Sequence, residues 1–281
     1  MSSEEARLLM AGACRAAVLG SPITHSLSPV LHRAAYAALG LSGWRYDAYE
    51  CDEAGLADLV GGLDGSWAGL SLTMPLKRVA LRIADRASDL AAGLGAANTL
   101  LLRDGQRFAD NTDAPGMVDA LAEAGVDAPG SVLVIGAGGT AQAALGAVSM
   151  LRVPPPVTVA VRDPARSLEA QATARRLGLD VTVERFAELP RLVSAAELVV
   201  STVPVQASPT LAELPWTGDG VFFDALYAPW PTPAAAAVLR AGGTVISGLE
   251  LLLHQAAHQV RLMTGQPAPL TAMRKALANV R

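Results

Sequence analysis

The stretch Ser131-Val132-Leu133-Val134-Ile135-Gly136-Ala137-Gly138-Gly139-Thr140-Ala141 sets the reading of this chain. A compact apolar run passes directly into glycines and then into an alanine-rich segment, which predicts a buried strand, a tight turn and a helix. In Gly136-x-Gly138-x-x-Ala141 the first glycine permits the turn. The second lets backbone approach a pyrophosphate, and Ala141 lets the helix pack close to the strand. Amides at the helix N-terminus then face the phosphate charge. The segment Gly136, Ala137, Gly138, Gly139, Thr140 and Ala141 is therefore the candidate cofactor-binding loop. Glycines also end strands for purely structural reasons, so the strand–turn–helix context carries the argument.

Working outward, short apolar runs alternate with helix-length segments, the pattern of an α/β fold with largely parallel sheets. After the glycine loop, strands are expected at 157–161, 180–184, 198–202, 221–224 and 244–246. From Gly248 onward the sequence reads as helical, with Pro267 and Pro269 separating two final helices. Before the loop, strands are expected at 16–19, 44–50, 67–72, 96–102 and 106–109, the last two joined by the turn signal Asp104-Gly105. Helices are expected at 29–39, 53–63 and 77–85, the first with Ser28 as N-cap and Pro29 at its first position. An amphipathic helix at 114–124 joins two units with a cleft between them.

At 281 residues, with 51% hydrophobic and 17% charged residues, the chain can bury two ordinary cores. A net charge of −4 argues against a nucleic-acid binder. Cys14 and Cys51 read as buried thiols in a reducing compartment. Residues 1–10 carry acids and no long apolar stretch, unlike a signal peptide, and the apolar run 249–253 is too short to span a bilayer. A cytoplasmic protein with no membrane and no nucleic-acid partner is expected.

Cofactor choice should be written at the end of the strand after the glycine loop. There the chain reads Val161-Arg162-Asp163, with Arg166 close behind. An acid at this point bonds a free ribose 2′-hydroxyl, whereas arginine accommodates a 2′-phosphate. Arg162 and Arg166 favour NADP(H), and Asp163 keeps NAD(H) open. Thr202 and Val203 end a later strand and are expected to border the nicotinamide, because ligands bind at that edge of a parallel sheet.

Three constellations in the first half carry polar chemistry. Ser26-Leu27-Ser28 offers two hydroxyls at a helix start, although Ser28 reads equally as a cap. The strand end Ser71-Leu72-Thr73-Met74-Pro75-Leu76-Lys77 delivers Thr73 and Lys77 to one loop. Ala97-Asn98-Thr99 and Asp110-Asn111-Thr112-Asp113 place amides and carboxylates near the domain junction. Each of these also reads as turn chemistry when taken alone. His25, His32 and His258 read as structural, and no His/Cys/Asp spacing suggests a metal site.

Taken together, these motifs resemble the shikimate dehydrogenase family. The resemblance rests on Gly20-Ser21-Pro22-Ile23-x-His25-Ser26-x-Ser28-Pro29, Thr73-x-Pro75-x-Lys77, Gly95-Ala96-Ala97-Asn98-Thr99 and Asp110-Asn111-Thr112-Asp113. It continues through the Gly136 loop, Asp224-x-x-Tyr227, Thr232-Pro233, Gly248 and Gln255-Ala256-Ala257-His258. The resemblance implies reversible NADPH-dependent reduction of 3-dehydroshikimate to shikimate, a step toward chorismate and the aromatic amino acids. It implies a catalytic Lys77 and Asp113, with Ser26, Ser28, Thr73, Asn98, Tyr227 and Gln255 holding the ring hydroxyls and carboxylate, and Gly248 beside the nicotinamide. On this reading an α/β substrate domain spans 1–113 and is completed by C-terminal helices 247–281. A Rossmann-type doubly wound domain with a parallel sheet spans 114–246. The protein is expected to be a monomer or homodimer.

Three departures stand out. Ser71 lies where the family commonly has asparagine, Val161-Arg162-Asp163 replaces asparagine–arginine–threonine, and Glu250 replaces a frequent glycine. The second keeps alive an alternative, an NAD-dependent quinate/shikimate dehydrogenase. A catalytically silent nucleotide-sensing module is a further alternative, which would keep the glycine loop but have no need of Lys77 with Asp113.

Overall fold

The structure, a computed structural model, describes residues 14–280. Residues 1–10, expected above not to be a signal peptide, lie outside that range. The chain divides into two compact units, one holding residues up to Thr112 and from Leu253 onward, the other Asp113–Leu252.

The first unit is built on strands β1 (Arg15–Gly20), β2 (Arg45–Glu50), β3 (Trp67–Leu72), β4 (Arg86–Ala87), β5 (Thr99–Arg103) and β6 (Gln106–Asp110). Their order is β2-β1-β3-β5-β6-β4. β1 runs parallel to β2 and β3, whereas β5 is antiparallel to both β3 and β6. This sheet is therefore mixed, where a largely parallel one was expected. The Asp104-Gly105 turn explains the antiparallel part: φ is positive at both residues, 51° and 71°, as a two-residue hairpin turn requires. Every residue of β3 is buried, with Leu70 and Leu72 in one core with Leu19, Leu76 and Leu100.

Local signals set several boundaries. The helix expected at 53–63 is shorter, Leu56–Gly61, because Asp52 Oδ1 accepts the Gly55 amide at 2.9 Å and holds the preceding residues in a turn. β4, only two residues long, and the helix Asp89–Leu94 were not expected; both are too short to show a period. Asp85 ties this region to β6, accepting from the Arg107 amide and from two nitrogens of its guanidinium at 2.7–3.1 Å.

The second unit holds β7 (Val132–Ile135), β8 (Val157–Val161), β9 (Val181–Arg185), β10 (Leu198–Ser201), β11 (Val221–Asp224) and β12 (Thr244–Ser247). The order is β12-β11-β10-β7-β8-β9, parallel throughout. This is the doubly wound arrangement, with strand order reversing between β7 and β10. Alternate β7 residues face two cores: Val132 and Val134 join one with Met117 and Leu145, while Leu133 and Ile135 join another with Leu211 and Phe222.

The second unit extends further at both ends than the sequence suggests. The helix Gly248–Thr264 is expected whole in the first unit, but its first turn belongs to the second, where Leu251 packs against the Met117 core. Asp113 likewise belongs to the second unit, as the first residue of the helix Asp113–Glu123. Cys14 and Cys51 are both buried. Among the described residues no helix is long and apolar enough to cross a membrane.

The Arg107 guanidinium and amide hold the Asp85 carboxyl down from 3.8 to about 2. Because the folded state gives up this proton first, the contact adds stability above pH 3.8 and loses it as pH falls through about 2. An NMR titration of the Asp85 carboxyl should show that lowered midpoint, and Arg107→Ala, which removes the guanidinium but keeps the amide, should raise it part of the way back.

Candidate active site

In the first unit, the ends of β1 and β3 define a polar loop cluster. The Thr73 amide donates to Leu19 O and the Ser21 amide to Met74 O, both at 3.0 Å. A Cβ on Gly20 would collide with the Thr73 side chain, so this glycine permits the close approach. Lys77 begins the helix Lys77–Ile83 and is half-buried, while its carbonyl accepts the Ala97 amide at 2.8 Å. That bond fixes Lys77 beside the strand carrying Asn98. Ser28 is not the helix cap. Leu27 occupies that position, and the Ser28 amide instead donates to Ser26 Oγ at 3.3 Å. The Ser28 side chain is thereby released from capping, and the residue is buried.

The segments around Asn98 and Thr112 clasp one another. Asn98 Oδ1 accepts the Thr112 amide at 2.8 Å, and Asn98 Nδ2 donates to Thr112 Oγ1 at 2.9 Å. Asp110 accepts from Ser88 Oγ and from the Asn111 amide, and Asn111 Nδ2 donates to Ala96 O at 3.0 Å. The acid–amide–hydroxyl–acid motif thus spends its first three side chains on bonds within the first unit and delivers Asp113 to a helix start. Gln255 Oε1 stands 3.4 Å from Asn98 Nδ2.

Four buried residues near this clasp were not expected. Gln259, one helical turn beyond Gln255, donates to Asn98 O and Thr99 Oγ1, both at 3.1 Å. Its Oε1 accepts from Ser71 Oγ at 2.8 Å, and Tyr46 Oη donates to Ser71 Oγ at 2.6 Å. His32 stacks on Tyr46 with centroids 3.9 Å apart and reaches Gln259 Oε1 at 3.3 Å. Burial lowers the His32 pKa to about 3, so the ring is neutral and donates to the glutamine oxygen. The spacing of Gln259 from Gln255 is the one signal that points here, since residues four apart share a helix face.

In the second unit the glycine loop follows β7 as expected. Gly136 has φ 111° and sits against Thr202 Oγ1, which donates to Ile135 O at 2.9 Å. Thr202 thus closes the β7–β10 edge, and Val203 behind it is buried. Gly138 and Gly139 differ from Gly136: a Cβ on either would meet nothing within 4 Å. They stand at the head of the helix Gly139–Ser149, whose cap is Gly138 with no side-chain bond, and Ala141 behind them is fully buried.

After β8, Arg162 and Arg166 are exposed, and the Arg162 guanidinium lies 5.8 Å from the Phe186 ring centroid. Asp163 is turned back on its own chain, where its carboxylate caps the short 3-10 helix Pro164–Ser167 by accepting the Ala165 amide at 3.1 Å.

After β11, buried Asp224 accepts from Thr232 Oγ1 at 2.6 Å and from the Leu226 amide at 3.1 Å. Thr232 also caps the helix Pro233–Arg240. The two residues pin both ends of the loop that carries half-buried Tyr227, whose pKa burial pushes up. A Cβ on Gly248 would strike the Ala225 carbonyl, which explains this glycine by the chain's own packing.

A doubly wound parallel sheet with an unobstructed glycine turn at its switch point defines a dinucleotide-binding protein of the α/β class. A family model described as "Shikimate dehydrogenase substrate binding domain" matches residues 18–100, and one described as "Shikimate 5'-dehydrogenase C-terminal domain" matches residues 248–278. Shikimate dehydrogenase (NADP(+)) of Thermus thermophilus is 38% identical over 252 residues, covering 89% of this chain and 92% of that protein. The crystal structure of Mycobacterium tuberculosis shikimate dehydrogenase has a TM-score of 0.86 at 45% identity, covering 95% of this chain and 100% of that one. That of the Thermus thermophilus enzyme in complex with NADP(H) and shikimate has a TM-score of 0.83 at 32% identity, covering 95% and 100%. The chain belongs to the shikimate dehydrogenase family.

Burial raises the Asp224 pKa, while the Thr232 hydroxyl works against that rise by favouring the ionised form. Because the folded state holds this proton longer than the unfolded one, the group's contribution to stability falls as pH rises from 3.8 through the folded value. Thr232→Val should therefore destabilise the protein by about 1–3 kcal/mol, with a larger drop in Tm at pH 7 than at pH 4.

Proposed function

We propose that this chain catalyses the reversible, NADPH-dependent reduction of 3-dehydroshikimate to shikimate on the route to chorismate and the aromatic amino acids. Membership of the family carries the substrate, because the matched residues 18–100 include Ser26, Ser28, Thr73, Lys77 and Asn98. Ser28 and Asn98 are buried, and Ser26, Thr73 and Lys77 half-buried. Neutral hydroxyls and amides of this kind suit a polyhydroxylated ring acid, since an analogue lacking a partner group leaves a polar site group unpaired.

The observation that carries the cofactor is the open space at Gly138 and Gly139. Gly136 lacks a side chain because Thr202 is there, but nothing in the protein asks the next two glycines to be bare. A pyrophosphate drawn to the amides at the helix start supplies the reason. Arg162 and Arg166 would hold the 2′-phosphate of NADP(H). Asp163 does not stand against that reading, because its carboxylate is committed to the Ala165 amide.

When bound, the nicotinamide supplies the hydride that goes to the ketone carbon. The protein must then supply a proton to the oxygen. Lys77 stabilises the developing alkoxide as an ammonium and donates the proton, and in the reverse direction takes it back. Asp113 accepts from a ring hydroxyl and favours the charged lysine. Tyr227 and Gln255 complete the polar contacts to the ring acid.

Lys77→Ala should lower kcat by roughly two to four orders of magnitude with little change in KM for the dinucleotide. Asp113→Asn should be similarly impaired, and the double variant should lose far less than the product of the two. A folded Lys77→Ala enzyme with near-normal kcat would overturn the assignment.

Steady-state rates with shikimate and quinate, each with NADP and NAD, should favour shikimate with NADP. Replacing Arg162 and Arg166 together by alanine should raise KM for NADP roughly tenfold or more and leave that for NAD nearly unchanged. Equal weakening of both cofactors would remove the arginines from the 2′-phosphate site.

A further inference from the structure

We propose that Tyr46, Ser71 and Gln259 are positioning residues that orient Asn98 through one buried chain of hydrogen bonds. None of the three is among the residues assigned above to touch substrate. The inference rests on the reading of Asn98 as a substrate ligand and adds how it is held.

The direction of every bond in the chain is forced by a backbone group. Asn98 O is a carbonyl and only accepts, so the Gln259 nitrogen must face it at 3.1 Å. The other Nε2 hydrogen goes to Thr99 Oγ1, also at 3.1 Å. Gln259 Oε1 therefore points the opposite way, where Ser71 Oγ must donate to it at 2.8 Å. A hydroxyl has one proton, so Ser71 must accept from Tyr46 Oη, which stands 2.6 Å away. Tyr46 Oη has then spent its own proton, and its ring is held by the His32 ring stacked 3.9 Å away.

The far end is fixed in the same manner. Thr99 Oγ1, having accepted from Gln259, donates to Asn98 Oδ1 at 2.9 Å. The Thr112 amide, which only donates, reaches that same oxygen. The Asn98 side chain is thus locked with its nitrogen on the Thr112 and Gln255 side. It presents N–H groups on that side and cannot flip without breaking bonds to both Thr99 and Thr112.

Burial makes the chain consequential. Tyr46, Ser71, Asn98, Thr99 and Gln259 are each no more than 3% exposed, so water cannot replace a lost partner and each broken bond is felt by the next. Ser71 and Thr99 face each other across the β3–β5 pair, and Gln259 bridges them from the helix Gly248–Thr264. This gives the departure at position 71 a physical sense. A serine is too short to span from Tyr46 to Asn98, and Gln259 supplies the missing length.

Steady-state kinetics on four single variants, Tyr46→Phe, Ser71→Ala, Gln259→Leu and Asn98→Ala, test the proposal. Tyr46→Phe keeps the ring and its stacking and removes only the hydroxyl. KM for shikimate should rise about three- to tenfold in Tyr46→Phe and Ser71→Ala, and by at least as much in Gln259→Leu. Values of kcat should stay within about twofold and KM for NADP should not move, since the lost bonds orient ligands without touching the reacting atoms.

A second readout separates positioning from general loosening. With an analogue of shikimate lacking the hydroxyl that Asn98 binds, the penalty of Tyr46→Phe should largely disappear. If the penalty persists undiminished, or if kcat and both KM values worsen together, the coupling is wrong and the residues only support the fold. Should Gln259→Leu fail to fold, Tyr46→Phe and Ser71→Ala decide between coupling and support. Unchanged KM for shikimate in Asn98→Ala would instead sink the substrate reading of Asn98. A raised KM there with no effect in Tyr46→Phe would sink the relay alone.

Discussion

A buried amide must have each of its donors and acceptors met inside the protein, and in the first unit this demand falls on Asn98. Its carbonyl already accepts the Leu72 amide at 2.7 Å and then takes a second bond from Gln259. Meeting the side chain as well draws in Thr99 beside it, Thr112 from beyond β6 and Gln255 from the C-terminal helix. Three stretches far apart in sequence thereby converge on one residue. Lys77 joins the same neighbourhood through its carbonyl, which takes the Ala97 amide. The polar groups assigned to substrate are therefore held by the same bonds that fold the unit.

The second unit meets a different constraint by different means. An all-parallel sheet covered on both faces leaves its strand ends as the place where backbone remains accessible, and the reversal between β7 and β10 opens a crevice there. Thr202 spends its hydroxyl on Ile135 O and so fixes the crevice wall, while Gly136 turns the chain past it. Bare glycines at 138 and 139 then stand at a helix start with no internal reason for being bare. In one unit polarity is built from side chains that bond each other, and in the other from backbone that nothing covers. The first arrangement suits a small ring acid with many hydroxyls, the second a pyrophosphate.

The same contrast explains what could be read from the sequence. The doubly wound half was legible because its signals are local: an apolar strand, a glycine turn and a helix follow one another within eleven residues, 131–141. The Asp104-Gly105 hairpin was legible for the same reason. Positions such as Ser26, Thr73 and Lys77 were marked by motif resemblance, which says where a residue stands but not what it bonds. The partners of Asn98 were not legible, since Gln259 lies 161 positions away and no period or spacing joins them. Ser28 reads as a cap because a serine before proline at a helix start has that local signature. Only the structure shows that Leu27 takes the cap position and that the Ser28 amide turns to Ser26 Oγ.

Asp163 shows how far local chemistry can mislead when direction is unknown. An acid at the end of the second strand of such a sheet is the usual ligand of a free ribose, and by type alone it argues for NAD. The carboxylate, however, is the cap of the turn Pro164–Ser167, and Ser167 continues that turn by donating to Pro164 O at 2.6 Å. Arg162 stands just before the capping acid and Arg166 within the capped turn, with the Phe186 ring centroid 5.8 Å from the first guanidinium. The acid serves the loop that also carries the exposed Arg162 and Arg166. Residue type at the strand end is therefore only half of the reading, because the effect of a carboxylate depends on where its charge lies and on what it already bonds.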